Sequence, residues 1–222
     1  RTLQKLGSTI ISELPDIGNS QDKGNSASAI DNFQDLFREE YRNKTIIIWT
    51  SFLLCFSTMY FLMTWIPALM EYSGFTAATG RTAFFLFNLG GVIGIWLLGA
   101  ISTKAKLSNI VSSFLLSSAF LLIVFASSPN QETLLLSLVL AIGILFQGGF
   151  TGLYAIAAKV YPVSFRSTGG GWAIGLGRAG AVIGPGAAGF LIAAGFDMSA
   201  NFYIFSVPVI LGGIIAYSIH VR

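Results

Sequence analysis

Arg178 is the side chain with the most chemistry open to it in this sequence. It stands alone in an uncharged stretch from Ser167 to Phe196, inside the run Gly-Gly-Gly-Trp-Ala-Ile-Gly-Leu-Gly-Arg-Ala-Gly-Ala-Val-Ile-Gly-Pro at 169–185. A helix beginning near Thr168 would carry Arg178 ~15 Å along its axis, about half the ~30 Å of a bilayer's hydrocarbon core. An arginine at that depth costs at least ~2.5 kcal/mol. An anionic ligand that takes up the fork of guanidinium N–H groups would offset the cost. Two plainer outcomes stay open. The side chain can snorkel to the headgroups, or it can pair with a helix carbonyl or with an acid elsewhere.

Other polar and aromatic side chains interrupt the apolar stretches: Ser57, Thr58, Tyr60, Thr64 and Trp65, then Asn88, then Gln147, Thr151 and Tyr154. Buried amides need partners, so this set marks either a ligand cavity or hydrogen bonds between helices. The expected cavity residues are Arg178, Tyr60, Trp65, Asn88, Gln147 and Tyr154. No Asp or Glu lies deep in an apolar stretch, and the single histidine, His220, sits at the end of the last one. A proton relay normally uses an intramembrane carboxylate, so if this chain served a proton-driven process, the proton site would belong to residues outside it.

Several chemistries are excluded. There is no HExxH, no GxSxG and no intramembrane Asp pair, so an enzyme is not expected. Gly175-Leu-Gly-Arg-Ala-Gly180 matches GxGxxG, but it lacks the strand that a dinucleotide site requires and reads as a packing motif. The lone Cys55 in an apolar run reads as a buried, inert thiol. No metal-ligand spacing occurs, and neither a cofactor nor a nucleic-acid partner is expected.

The elements that would position these residues are membrane helices. The sequence is 54% hydrophobic and 10% charged, against ~25% charged in soluble domains, which points to an integral membrane protein. Six runs, uncharged but for Arg178 in the fifth, are long enough to span: Thr45–Met70, Thr82–Thr103, Leu107 to about Ser127, Thr133–Ala158, about Ser167–Phe196 and about Met198–Val221. Two domains are expected, a polar segment at 1–43 and a six-helix bundle at 44–222. Arg38, Arg42, Lys44, Lys104, Lys106, Lys159, Arg166 and Arg222 would share one side, leaving only Arg81 on the other. By the positive-inside rule that side is cytoplasmic and carries both ends of the chain. Residues 12–32 read as a flexible linker. Residues 32–43 place Phe33, Leu36, Phe37 and Tyr41 at helical spacing, which suits either a short amphipathic helix at the inner surface or a solvated juxtamembrane helix. The chain opens on Arg-Thr-Leu-Gln-Lys-Leu, and it is expected to be a piece of a longer protein.

Of 25 glycines, 16 follow Leu140, so the later helices should approach most closely. GxxxG pairs occur at Gly90/Gly94, Gly148/Gly152, Gly171/Gly175 and Gly180/Gly184. The fifth span should pack the most tightly, and Gly184-Pro185-Gly186 should bend or loosen it. Trp49, Trp65 and Trp172 also suit an interface belt.

Tyr60-Phe-Leu-Met-Thr-Trp-Ile-Pro67 and Phe87-Asn-Leu-Gly-Gly-Val-Ile-Gly94 resemble the first two spans of the second half of a major facilitator superfamily carrier. Tyr161-Pro-Val-Ser-Phe-Arg-Ser-Thr-Gly169, Gly175-Leu-Gly-Arg178 and Gly184-Pro185 resemble its last cytoplasmic loop and eleventh helix. The combination is most similar to the aromatic acid:proton symporter group. The resemblance implies a twelve-helix carrier of two rocking six-helix halves, of which this chain would be the second. It implies a small organic anion as substrate, protons as the coupling ion, the N-terminal six-helix half as partner, and a bacterial inner membrane as location. By that analogy Arg178 helps to bind or admit a carboxylate. Arg166 would set the inner gate, with Lys104 and Pro185 also expected at gating positions. The sequence departs from the family after the second span here: Thr103 stands where an acid is expected and Ser108 falls near a histidine position, which weakens the case for a charge-paired gate. Carriers of sugars or other neutral or organic solutes share the loop from tyrosine-proline to arginine. A stand-alone six-helix structural or channel protein is the remaining reading.

Overall fold

The computed structural model describes residues 33–219. A helical turn at 33–35 leads into six helices: α1 (Glu39–Tyr72), α2 (Ala77–Ser102), α3 (Leu107–Ser127), α4 (Glu132–Val160), α5 (Arg166–Ala193) and α6 (Met198–Ser218). No strand occurs among the described residues. Each helix is long and apolar enough to cross a membrane, so the fold is an all-α membrane architecture of six spans. The linker expected at 12–32, His220 and Arg222 lie outside the described residues.

The helix ends follow from local chemistry. α1 starts six residues before the uncharged run, at Glu39, with Glu39 and Glu40 in its first turn. Acidic groups there complement the helix dipole, and a helix of 34 residues is ~51 Å long, enough to carry its charged end beyond the hydrocarbon core. α5 stops at Ala193, three residues short of Phe196, because Gly195 takes a left-handed turn at φ 88°. The Phe196 N–H then donates to the Leu191 carbonyl and the Gly195 N–H to that of Ile192, both at 3.0 Å. Gly74, also at φ 88°, ends α1 in the same way, with the Phe75 N–H on the Met70 carbonyl at 3.0 Å. Glycine adopts this conformation without a Cβ clash. α2 and α6 are capped by side chains: Thr76 Oγ1 accepts from the Thr79 N–H at 3.2 Å, and Asp197 Oδ1 from the Ala200 N–H at 2.7 Å.

The helices pack as two three-helix units that exchange partners. The most extensive pairings are α2 with α4 and α1 with α5; α3 with α6, α3 with α4, and α1 with α6 come next. Adding three to each helix number turns the α1/α5 pairing into α4/α2, and α3/α4 into α6/α1. α2 and α5 bury the least of their surface. Between them the core is built of rings and branched chains, including Phe52, Phe61, Phe87, Phe146, Phe202 and Leu115.

Glycine sets the close approaches. On α2, a Cβ at Gly90 would stand 2.5 Å from the Leu140 carbonyl of α4, and one at Gly94 would strike the Ile144 backbone. From α4, Gly143 meets the Phe87 backbone in return, and Gly148 faces the Gly94 carbonyl. α5 seats Gly180 and Gly184 on the backbone of α1 at Leu53 and Ser57. Gly148 and Gly152 also receive α3, through Phe114 and Val111. Gly171 and Gly175 differ, for nothing lies within 4 Å of a Cβ built on either. Three of the four GxxxG pairs are thus packing seams within the bundle, and within GxGxxG only Gly177 and Gly180 pack.

Candidate functional site

The candidate site is an aromatic framework with Arg178 at its edge. α1 carries Phe52, Phe56 and Tyr60 at intervals of four residues, and α4 carries Phe146, Phe150 and Tyr154 at the same interval. That spacing puts each set on one face of its helix, because residues four apart are neighbours. The ladder on α1 has ring centroids 6.1 Å and 6.2 Å apart; on α4 they are 6.3 Å and 5.5 Å apart. The two ladders face each other in opposite directions. Phe52 meets Tyr154 edge-on at 4.9 Å and 87°, and Phe56 meets Phe150 at 4.9 Å and 89°. Edge-to-face contacts of this kind fix ring orientation and add about 0.5–1.5 kcal/mol each.

α5 is laid against this framework at Gly177, where a Cβ would come within 2.6 Å of the Phe56 ring and 3.1 Å of Phe52 Cβ. Arg178, the next residue, is exposed. It forms no ion pair with any described residue; the ion pair that does form, Arg38 with Asp35 at 2.7 Å, belongs to the turn before α1. The Tyr154 hydroxyl is within electrostatic range of both the Arg178 guanidinium and Tyr60. Tyr154 is half-buried, while Tyr60 is 40% exposed. The fold therefore gathers one cation and two phenols from α5, α4 and α1 around a wall of phenylalanine rings. This arrangement can hold an anion at the guanidinium and an apolar ring beside it.

The other expected cavity residues have donors committed to backbone. Gln147 Nε2 donates to the Phe87 carbonyl at 2.9 Å and its amide lies over Gly91, tying α4 to α2. Asn88 Nδ2 donates to the Phe84 carbonyl of its own helix at 2.8 Å. Trp65 Nε1 donates to the Pro185 carbonyl at 3.3 Å, pinning α1 to α5 at the proline. Ser57 and Thr58 face neighbouring helices, with Thr58 Oγ1 donating to the Phe205 carbonyl of α6 at 3.1 Å.

Of the expected gating residues, Pro185 is thus hydrogen-bonded to Trp65, while Arg166 and Lys104 lie apart from this cluster. Arg166 opens α5, and its Nε donates to the Tyr161 carbonyl at 3.2 Å, closing the turn after α4. Lys104 is exposed just past α2. At this end of the bundle Phe33, Phe37, Trp49 and Trp172 form one aromatic group, with Phe33 to Trp172 at 5.0 Å and Phe37 to Trp49 at 5.6 Å. The Leu36 carbonyl accepts from Thr45 Oγ1 at 3.0 Å, and the Tyr161 hydroxyl faces Thr45 and Trp49 without reaching hydrogen-bond geometry to either. In the structure Thr103 Oγ1 donates within its own turn to the Ala100 carbonyl at 3.1 Å, and Ser108 Oγ to the Ile219 carbonyl at 2.6 Å.

Sequence reasoning missed Phe52, Phe56, Phe146 and Phe150. The four-residue spacing of rings ending in a tyrosine, present on both α1 and α4, was the signal that could have found them. Among the described residues no group of three or more His, Cys, Asp or Glu is placed to hold a metal.

Residues 48–221 match the family model described as Major Facilitator Superfamily. Curated relatives include the benzoate transport protein of Acinetobacter baylyi, 30% identical over 84% of this chain and 40% of the relative. The 4-hydroxybenzoate transporter of Pseudomonas putida is 26% identical over 95% of this chain and 47% of the relative. The gentisate transporter of Corynebacterium glutamicum is 32% identical over 82% of this chain and 41% of the relative. The chain spans less than half the length of these relatives.

Proposed function

The chain belongs to the major facilitator superfamily, a family of membrane transporters and not of enzymes, and on that premise we propose that it is the second half of a secondary carrier for aromatic carboxylates. The carrier takes up a small organic anion together with protons and works by alternating access, rocking this half against an N-terminal half of the same protein. The observation that carries this reading is Arg178: a cation midway along α5, exposed beside Tyr154, with no carboxylate of the described chain paired to it. The family match and the aromatic-acid transporters among the relatives support the substrate class.

In this reading Arg178 receives the carboxylate, and Tyr60 and Tyr154 complete the cavity. Trp65, Asn88 and Gln147 border it and hold its helices in register. Arg166, Lys104 and Pro185 act in gating. The basic end of the bundle is the cytoplasmic side, in a bacterial inner membrane, and the proton site lies on the N-terminal half. The described carboxylates sit at or before helix ends, at Asp35, Glu39, Glu40, Glu71, Glu132 and Asp197, which suits a proton site elsewhere.

The test is uptake of radiolabelled 4-hydroxybenzoate by cells expressing the full-length protein, with and without a protonophore, beside the Arg178→Ala variant. Protonophore-sensitive uptake that the variant loses, at equal membrane levels, is the expected result. Normal uptake by the variant removes Arg178 from the site. Uptake of a neutral sugar in place of the acid turns the substrate reading over.

A further inference from the structure

We infer that Tyr60 and Tyr154 divide the recognition of the substrate, Tyr60 contacting its ring and Tyr154 its carboxylate; this rests on the aromatic-carboxylate reading above. The two tyrosines are not equivalent, although each ends a ladder of the same spacing on a corresponding helix.

Tyr154 is held fast. Phe52 abuts its ring edge-on at 4.9 Å, and Phe150 does so at 5.5 Å and 87°. Two protein rings thereby flank it, and its hydroxyl is in electrostatic range of Arg178. A phenol O–H on a ring held in this way, in the field of a guanidinium, can act as a second donor to one carboxylate, and a hydrogen bond to a charged group is among the stronger kinds.

Tyr60 is the opposite case. It has one ring neighbour, Phe56, stacked at 6.2 Å and 25°, and it is 40% exposed. The ladders run in opposite directions, so Tyr60 lies at the far end from the Phe52–Tyr154 contact. Its exposed ring is backed by Phe56 and leaves apolar surface free for another ring. Phe52, Phe56, Phe146 and Phe150 are all buried, so Tyr60 is the one ring of the α1 ladder that a substrate can reach. An aromatic acid anchored by its carboxylate at Arg178 and Tyr154 would direct its ring towards Tyr60. A saturated acid of similar size, its ring puckered and without π electrons, would lose the aromatic contact and keep the carboxylate contacts.

The experiment compares benzoate with cyclohexanecarboxylate in proteoliposomes of the full-length carrier, taking kcat/KM for each acid. Neither has a ring hydroxyl, so their ratio reads how the flat aromatic ring is preferred over the puckered saturated one. The unaltered carrier is expected to favour benzoate. Tyr60→Leu should lower that preference by about fivefold, the size of one aromatic pair, while Tyr60→Phe keeps it. Tyr154→Phe should raise KM for both acids by about tenfold, the size of a hydrogen bond to a charged group, and leave their ratio unchanged. A ratio unmoved by Tyr60→Leu, or shifted by Tyr154→Phe, overturns the division of labour. Arg178→Ala separates this failure from that of the underlying reading: uptake intact in that variant, or uptake of neither acid by the unaltered carrier, defeats both. Thermal stability of each variant in detergent is measured alongside, and a Tyr60→Leu carrier that does not fold gives way to Tyr60→Ile, for which the same loss of preference is expected.

Discussion

The α1/α5 and α2/α4 pairs are the two most extensive contacts in the bundle, and they meet the same packing problem with different residues. α2 and α4 contribute glycine from both sides, at Gly90, Gly94, Gly143 and Gly148, contain no proline, and are tied by Gln147 to the Phe87 carbonyl. In the other pair only α5 contributes glycine, at Gly177, Gly180 and Gly184. Each of its helices contains a proline, Pro67 and Pro185, and a tryptophan indole bridges them at Trp65. In lipid no hydrophobic force drives helices together, so close backbone contact and hydrogen bonds must do so. The α2/α4 seam is a closed rivet. The α1/α5 seam gives up backbone hydrogen bonds at its prolines, and its two helices carry Tyr60, Trp65 and Arg178 of the candidate site.

The largest expected effect separates the two pairs by function. Arg178→Ala on α5 lowers uptake of an aromatic acid by about a hundredfold, since it removes a charge-assisted fork. Gln147→Leu on α4 changes uptake by less than about threefold but costs about 1 kcal/mol of stability, the worth of one hydrogen bond. Uptake assays and thermal unfolding in detergent report on the two together. The reverse pattern would make the rivet the site.

A second test compares the seams as packing. Gly94→Leu and Gly184→Leu each force a side chain into opposing backbone and should cost about 1–3 kcal/mol. Equal losses of thermal stability mean that both pairs depend on close approach. A loss at Gly94 alone means that the α1/α5 seam yields at its prolines. Trp65→Phe is a smaller change, removing the indole bond to the Pro185 carbonyl for about 1 kcal/mol and leaving the α2/α4 seam untouched. The smallest is Gly175→Ala, where a Cβ meets nothing within 4 Å. Replacing a mid-helix glycine there should raise the stability of this chain by no more than about 1 kcal/mol.

The six spans, the place of Arg178 along the fifth and three of the four glycine seams were legible in the sequence. The fourth pair was not. Gly171 and Gly175 have the same spacing as Gly180 and Gly184, yet lie where α5 has no neighbour in this bundle. A spacing defines a helix face and leaves open what that face meets. Gln147, Asn88 and Trp65 had the same ambiguity, for a polar side chain in a span suits a ligand or a helix carbonyl equally. The rings of Phe52 and Phe150 looked like ordinary core.

What the sequence by itself determined was the number of spans, their approximate ends and the place of Arg178 midway along the fifth. These follow from terms that act within one helix: the cost of charge in hydrocarbon, backbone bonds closed inside each segment, and the glycines that end α1 and α5. Only the tertiary structure decided that two ladders of rings from α1 and α4 interlock, that Tyr154 is clamped while Tyr60 is left open, and that Arg178 stands beside them. Those outcomes depend on which helix faces meet and in what register, a property of the packed bundle that no single helix contains.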